Sequence, residues 1–356
     1  MQISRVEVIP LTLRLRLPYR TAYHTGDPVE EIDTVFIQIE TVQGEVAWGC
    51  AAFDPLITGE SVDAVIEACH RCADRAHDLN PLAIEYALAE LEPLTNGFPS
   101  ALCAFDMAFH DLLGLAAGLP LFRLLGGYRH QIQTSITVSV APPRETVEMA
   151  RQRARQGFRI LKIKGGLNAE EDVQRVRAVC DALPNITVRL DADGGYTAAE
   201  AIQVARALTD RIEMLEQPTS PQLGIETLRQ VTDQSPVPIL ADQSVVGSTS
   251  AMQIANRRAA NGLLIKLATC GGIRRGRQVD AIARTAHLAT MVGCVHEPAL
   301  LIAAELAFAL SSPAVQYGDL DGHFDLVGDP TRAGFRLEEG WLIATDVPGL
   351  GCTVEL

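Results

Sequence analysis

The chain has 356 residues, 47% of them hydrophobic and 21% charged, enough apolar material for a large core and two domains. Its 44 acidic and 30 basic side chains leave a net charge of −14, which argues against nucleic acid and membrane partners where no basic patch interrupts it. The eight cysteines are scattered through apolar segments, as in a reducing cytoplasm, and the single CxxC, Cys69 with Cys72, has no second pair with which to build a zinc site.

The opening stretch MQISRVEVIPLTLRLRLPYR alternates polar and apolar residues and lacks the apolar block and cleavage site of a secretory signal. No apolar run reaches about 18 residues, so no transmembrane helix is expected. VEVIPLTL, TVFIQIET and EVAWGCA read as strands joined by polar turns such as VQGE. Helical spacing follows in GESVDAVIEACHRCADRAHDL, IEYALAELEPL and PSALCAFDMAFHDLLGLAAG, the last stopping at Gly118 with Pro120 beyond it. These elements predict an α+β domain over residues 1–130.

From 131 to 325 the pattern changes to strands alternating with helices. The strands are ITVSV, RILKIK, ITVRLD, IEMLEQP, PVPILAD, GLLIKLA, ATMVGC and AVQYGDLD, with Gly157, Gly262 and Gly293 at or near the starts of the second, sixth and seventh. Short strand-like segments in 326–356, FRLEEGWLIA and GLGCTVEL, are expected to return to the first domain. The expected fold is α/β: a modified TIM barrel, (β/α)7β, whose pocket is closed by an α+β capping domain.

Five barrel segments carry an acid or a lysine at the end of the apolar run: Lys164, Asp191, Glu216, Asp242 and Lys266, separated by 27, 25, 26 and 24 residues. That step is one strand, one helix and two loops, so all five charges fall at the C-terminal strand ends where barrels keep their chemistry. Asp191, Glu216 and Asp242 lie on neighbouring strands, and three such carboxylates repel one another unless a cation such as Mg2+ joins them. Lys162 and Lys164 project from one face of the second strand, and two adjacent ammonium groups lower each other's pKa, which makes a neutral lysine base accessible. Lys266 lies across the barrel mouth from them, so a planar carbanion between Lys164 and Lys266 could lose a proton on one face and gain one on the other. His296, after the seventh strand, is a rival base, and Glu297 beside it joins the candidate pocket wall. Neither Gly165-Gly166 nor Gly271-Gly272 fits a phosphate-binding loop.

With KIK, RLDAD, EQP, LADQS and IKLATCGGI in order, the whole chain resembles the enolase superfamily in its muconate-lactonizing-enzyme branch. LITGES at 56–61, FDMAFHDLLG at 105–114, LKIKGG at 161–166, IKLATCGG at 265–272 and GDLDG at 318–322 look most like the dipeptide epimerases, L-Ala-D/L-Glu epimerase among them. The resemblance implies one Mg2+ per subunit on Asp191, Glu216 and Asp242, with Lys164 and Lys266 as the acid/base pair and Lys162 assisting electrostatically. The substrate carboxylate would meet the metal, which stabilises the enediolate formed when the α-proton leaves. Asp319 and Asp321 resemble the acids that hold the dipeptide's α-ammonium. The enzyme expected is a cytoplasmic isomerase, homo-oligomeric, acting on a small-molecule dipeptide.

Several positions depart from the pattern. Asp193 stands where Asn is more common and Gln243 where Glu is common, while Ala268 and Thr269 replace larger or charged residues and should enlarge one wall. His24 stands where the Ala-Glu enzymes carry an arginine that pairs the glutamate side chain, which argues against an acidic second residue. Tyr23, His24 and Phe53 suggest an apolar or aromatic pocket, and Asp54 leaves a cationic side chain open. The same site could also serve an acid-sugar dehydratase or a cycloisomerase, and a binding protein is the non-enzymatic alternative.

Overall fold

The computed structural model describes residues 1–24 and 27–356. An antiparallel sheet opens the chain, with strands Ile3–Tyr19, Val29–Thr41 and Val46–Ala52. The first two run longer than their apolar alternation suggests because they pair from Ile3 opposite Thr41 to Tyr19 opposite Val29, and that ladder carries their polar ends with it. Helices Val62–Ala76, Ile84–Leu91 and Pro99–Ala117 cover one face of the sheet. Alternation in the third strand decides what each residue touches: Ala47, Ala51 and Phe53 pack in the core under those helices, whereas Trp48, Cys50 and Ala52 pack in the core shared with the barrel. Gly49 sits where the sheet meets helix Pro99–Ala117, and a Cβ there would lie 1.8 Å from the Ala104 carbonyl oxygen.

Helix Pro99–Ala117 is long and apolar enough to cross a membrane by length and composition alone. It is mostly buried in the protein, with Cys103 and Met107 turned to the barrel core and Phe105, Phe109 and Leu112 to the cap core. A helix packed on both sides is apolar all round for that reason. Cys69 and Cys72 are buried in helix Val62–Ala76 as free thiols, and burial pushes the Cys72 pKa up to about 12. Neither is a poised redox group.

Eight parallel strands form the second sheet in chain order: Ile136–Val138, Ile160–Lys164, Thr187–Asp191, Leu215–Glu216, Ile239–Ala241, Gly262–Ile265, Ala289–Gly293 and Val315–Asp319. A parallel bridge from Thr134 to Gly318 brings the last strand back to the first, helped by the Ser135 N–H donating to the Gly318 carbonyl at 3.1 Å. The crossovers are the helices Pro143–Arg155, Ala169–Ala182, Ala198–Ala207, Ile225–Gln234, Ser248–Arg257, Ile273–Thr285 and Ala299–Ser311. This is the (β/α)7β barrel. Gly293 closes the seventh strand instead of opening it, with Leu264 Cδ1 2.8 Å from where its Cβ would be.

Beyond residue 325, Leu326–Val327 adds an antiparallel edge to the first strand of the cap sheet. Strands Phe335–Glu338 and Trp341–Ala344 form a hairpin against Gln131–Gln133, and the Leu350 N–H donates to Asp111 Oδ1 on the long cap helix at 2.7 Å. The cap is also pinned to the sixth barrel loop. Asp106 of the long helix accepts from the Arg274 N–H at 3.1 Å, and Gly272, at φ 100°, leaves the room that a Cβ only 2.1 Å from Asp106 Oδ2 would take. That contact places the cap over the barrel mouth beside Lys266.

Candidate active site

Strand register builds the site. Lys164 pairs with Asp191 and Asp191 with Glu216 across neighbouring strands, while Asp242 and Lys266 follow the fifth and sixth strands by one residue. All five side chains are buried. Lys162 Nζ donates to Glu216 Oε1 at 2.8 Å and Asp319 Oδ2 at 2.7 Å and lies 2.9 Å from Asp191 Oδ2, which spans the barrel from the third strand to the eighth. Lys164 Nζ donates to Asp191 Oδ2 at 2.7 Å and to both Asp193 oxygens at 3.0 Å. Lys266 Nζ meets Asp242 Oδ2 at 2.8 Å.

These contacts reverse the expected lysine electrostatics. Burial lowers all three ammonium pKa values, but the surrounding acids outweigh it: Asp191, Asp319 and Glu216 hold Lys162 charged, Asp191 and Asp193 hold Lys164, and Asp242 holds Lys266. Repulsion between the lysines is the smaller effect. Burial opposes ionisation of Asp191, yet Lys162 and Lys164 drive its pKa far below the usual range, while burial and Asp191 push Asp193 up to about 6.

Asp193 is the residue whose part the sequence did not show. Its backbone is left-handed, φ 45°, so the chain turns just past the third strand and the carboxylate lies beside Asp191 and Asp242. One oxygen from each of these three lies within 4.8 Å of the others. Gln243 Nε2 donates to Asp193 Oδ1 at 3.1 Å, which joins the two departures from the family pattern directly. Glu216 stands next to this cluster with Oε1 on Lys162, and its buried Oε2 finds no hydrogen-bond partner among the described residues. Clustered buried carboxylates with one oxygen unmet fit a hard divalent cation, so Asp191, Asp193, Glu216 and Asp242 together suit Mg2+.

One consequence can be measured. Asp193 is protonated below about pH 6 and ionised above it, so proton and cation compete on the acid side only. Mg2+ affinity should weaken roughly tenfold between about pH 8 and pH 5, and a smaller loss is expected in Asp193→Asn. Calorimetric titration at the two pH values checks this, and equal slopes for both proteins would remove Asp193 from the metal's surroundings.

A cavity of about 110 Å3 lies above the charges, lined by Lys162, Lys164 and Lys266 together with His24, Asp54, His296, Asp319 and Asp321. His24 is fixed at both ring nitrogens, Nδ1 by Thr21 Oγ1 at 2.9 Å and Nε2 by Asp54 Oδ2 at 3.1 Å. His296 stacks edge-on to Tyr19 with ring centres 4.3 Å apart, and burial together with Lys164 depresses its pKa to about 4. Tyr19, at the end of the first cap strand, lines the cavity and was not singled out, since a tyrosine ending a strand carries no signal of its own. Tyr23 is half-buried near Asp193 and Asp242, which with burial raise its hydroxyl pKa.

Two expected wall residues lie elsewhere. Phe53 is packed in the cap core, because its place in the strand alternation turns it to the cap helices. Glu297 is wholly buried behind the seventh strand, where burial pushes its pKa up to about 8 and its carboxyl meets that of Glu305. Asp319 has both oxygens engaged, by Lys162 and by the Ser135 hydroxyl. Asp321 is freer: Oδ2 accepts from the Thr137 N–H at 2.6 Å, and among the described residues Oδ1 meets only the Cys294 thiol at 3.7 Å.

A capped barrel with carboxylates and opposed lysines at its mouth defines a class, the metal-assisted enzymes that move a proton at carbon. Residues 3–126 match the mandelate racemase / muconate lactonizing enzyme N-terminal domain, and residues 145–355 match the enolase C-terminal domain-like family. The chain therefore belongs to the mandelate racemase / muconate lactonizing enzyme branch of the enolase superfamily, and it is an enzyme of the isomerase class. It is 36% identical to the L-Lys-D/L-Arg epimerase of Methylococcus capsulatus and 33% identical to the hydrophobic dipeptide epimerase of Enterococcus faecalis, each match covering 99% of both chains. The crystal structure of the Enterococcus faecalis dipeptide epimerase complexed with Mg and L-Leu-L-Tyr superposes with a TM-score of 0.93 at 31% identity, over 99% of this chain and 100% of that one.

Proposed function

We propose that the chain is a Mg2+-dependent dipeptide epimerase working by two bases. The observation that carries this reading is that Lys164, from the second strand, and Lys266, after the sixth, line one buried cavity above a carboxylate cluster. Asp191, Asp193, Glu216 and Asp242 would hold Mg2+, which would supply positive charge opposite the substrate carboxylate and loosen the grip of these acids on the lysine protons. One lysine, neutral, takes the α-proton through Nζ, and the other, as ammonium, returns a proton to the opposite face of the planar carbon. Lys162 stays charged between Asp191, Glu216 and Asp319 and stabilises negative charge growing beside it. Asp321, with its less committed oxygen, holds the dipeptide's α-ammonium. The free cysteines suit a cytoplasmic enzyme.

On this reading the preferred dipeptides carry apolar or aromatic side chains. His24 is already held by Thr21 and Asp54, so a glutamate side chain lacks a bidentate cationic partner there, worth roughly 1.5–3 kcal/mol for a hydrogen bond to a charged group. A cationic dipeptide is the second reading, favoured by the Asp54 carboxylate, whose pKa the His24 hydrogen bond lowers against burial. Comparing kcat/KM for Ala-Phe, Phe-Tyr, Ala-Lys and Ala-Glu separates them. Ala-Phe or Phe-Tyr should lead and Ala-Glu should be poor. A lead for Ala-Lys that vanishes in Asp54→Asn would establish the cationic reading, and a lead for Ala-Glu would defeat both.

A further inference from the structure

Helix Ala299–Ser311, which follows the seventh strand, carries one charged residue in 13, Glu305, and that residue is wholly buried. An acid in so apolar a helix costs stability unless it finds partners. Glu305 has two. Its Oε1 accepts from the backbone N–H of Leu267 at 3.1 Å, the residue after the proposed base Lys266. Its carboxyl also lies against that of Glu297, whose Oε2 accepts from the Val295 N–H at 3.2 Å. The remaining oxygens, Glu305 Oε2 and Glu297 Oε1, meet no donor among the described residues. Two buried carboxylates in contact repel strongly, and a proton on one of them supplies the donor that both oxygens lack.

The pair is built into the back of the site. Leu267 ties it to the end of the sixth strand, and Val295 ties it to the loop that carries His296. Gly322, next to Asp321, lets Glu297 approach, since a Cβ there would lie 3.2 Å from Glu297 Cγ. Burial pushes the Glu297 pKa up to about 8 against the hydrogen bond from Glu305, while burial and then Glu297 push that of Glu305 well above the carboxylate range. Lys266 favours ionisation of both acids, and Asp321 opposes that of Glu297. Asp319, Asp329 and the thiols of Cys50, Cys103 and Cys294, each thiol held neutral chiefly by burial, complete the surroundings. Below about pH 8 the pair is uncharged, and Asp242 is the carboxylate that holds the Lys266 ammonium. As pH rises through about 8, Glu297 ionises while Glu305 keeps its proton, and a negative charge appears behind Lys266.

We infer that Glu305 and Glu297, sharing a proton, are positioning residues for Lys266: they fix the backbone behind it through the Leu267 N–H without adding a charge that would hold its proton. The inference rests on the two-base reading above.

The test uses full-length, Mg2+-loaded protein and reads α-deuterium uptake from D2O into L-Ala-L-Phe and L-Ala-D-Phe. Lys266 is the sole base in Lys164→Ala, and Lys164 is the sole base in Lys266→Ala. Between about pH 7 and pH 9 uptake by Lys164→Ala should fall about tenfold, since a carboxylate appearing beside an ammonium raises its pKa by about one unit. Glutamine cannot ionise, so Glu297→Gln added to Lys164→Ala should remove that fall, and Lys266→Ala should show none of comparable size. Glu305→Leu added to Lys164→Ala should cut uptake a further tenfold or so at about pH 7, the scale of a small misplacement of a catalytic group. Glu305→Gln should restore most of it, because its amide oxygen accepts from Leu267 and its amide N–H donates to Glu297. The Glu297→Gln comparison decides even where Glu305→Leu fails to fold. An alkaline fall unchanged by Glu297→Gln, no fall in Lys164→Ala, or a Glu305→Gln variant no better than Glu305→Leu would overturn the pair's role and leave the two-base reading standing. Equal uptake from both epimers in each lysine variant would overturn the two-base reading and this inference with it.

Discussion

Lys266→Ala should stop epimerisation and yet still exchange the α-proton of one epimer with solvent, and Lys164→Ala should spare the other epimer. Lys164 reaches the cavity from the second strand, held by Asp191 and Asp193, and Lys266 from beyond the sixth, held by Asp242. Neither ammonium can pass through a planar carbon to serve the other side. Loss of one general acid or base costs about 10²–10⁴ in rate, and inversion needs both, so turnover should fall to that extent in each variant. Deuterium uptake measured separately from the L,L and L,D substrates distinguishes the faces. Normal epimerisation by both variants would discard the two-base mechanism, and His296, neutral near pH 7 because burial and Lys164 depress its pKa, would become the leading base.

Asp191→Asn, Glu216→Gln and Asp242→Asn should each weaken Mg2+ binding and reduce turnover about 10³-fold or more, since a metal contributes several kcal/mol of charge stabilisation and each 1.4 kcal/mol is tenfold. Asp191→Asn should be the most severe, because its carboxylate also holds Lys162 and Lys164. A folded variant with unchanged circular dichroism and lost Mg2+ affinity by calorimetry is the expected result. Full activity of the wild type after exhaustive chelation would sink the metal assignment.

The regular spacing of Lys164, Asp191, Glu216, Asp242 and Lys266 made the barrel and its mouth legible, because strand ends in a parallel barrel converge whatever the helices between them do. Asp193 escaped that logic. It lies past the strand end, and only a left-handed backbone turns its carboxylate back to Asp191, a conformation that its type tolerates but does not announce. Phe53 and Asp54 show the opposite case. Phe53 follows the third strand by one residue and continues its alternation, in the direction of Ala47 and Ala51, so the alternation already contained the answer that Phe53 belongs to the cap core. The lysine pKa values were illegible for a different reason: the sequence shows two like charges two residues apart, whereas the acids that outweigh them come from other strands and loops, Asp191 first, with Asp319 beside Lys162 and Asp193 beside Lys164.

Deuterium incorporation from D2O into a library of L,L-dipeptides, followed by mass spectrometry, tests the central claim most directly. A dipeptide epimerase adds one mass unit at the α-carbon of susceptible dipeptides, in a Mg2+-dependent manner and without loss of water. The account predicts such uptake, strongest for dipeptides with apolar or aromatic side chains. Mg2+ binding with no exchange across the whole library, or conversion of an acid sugar to a dehydrated keto product in its place, would contradict it.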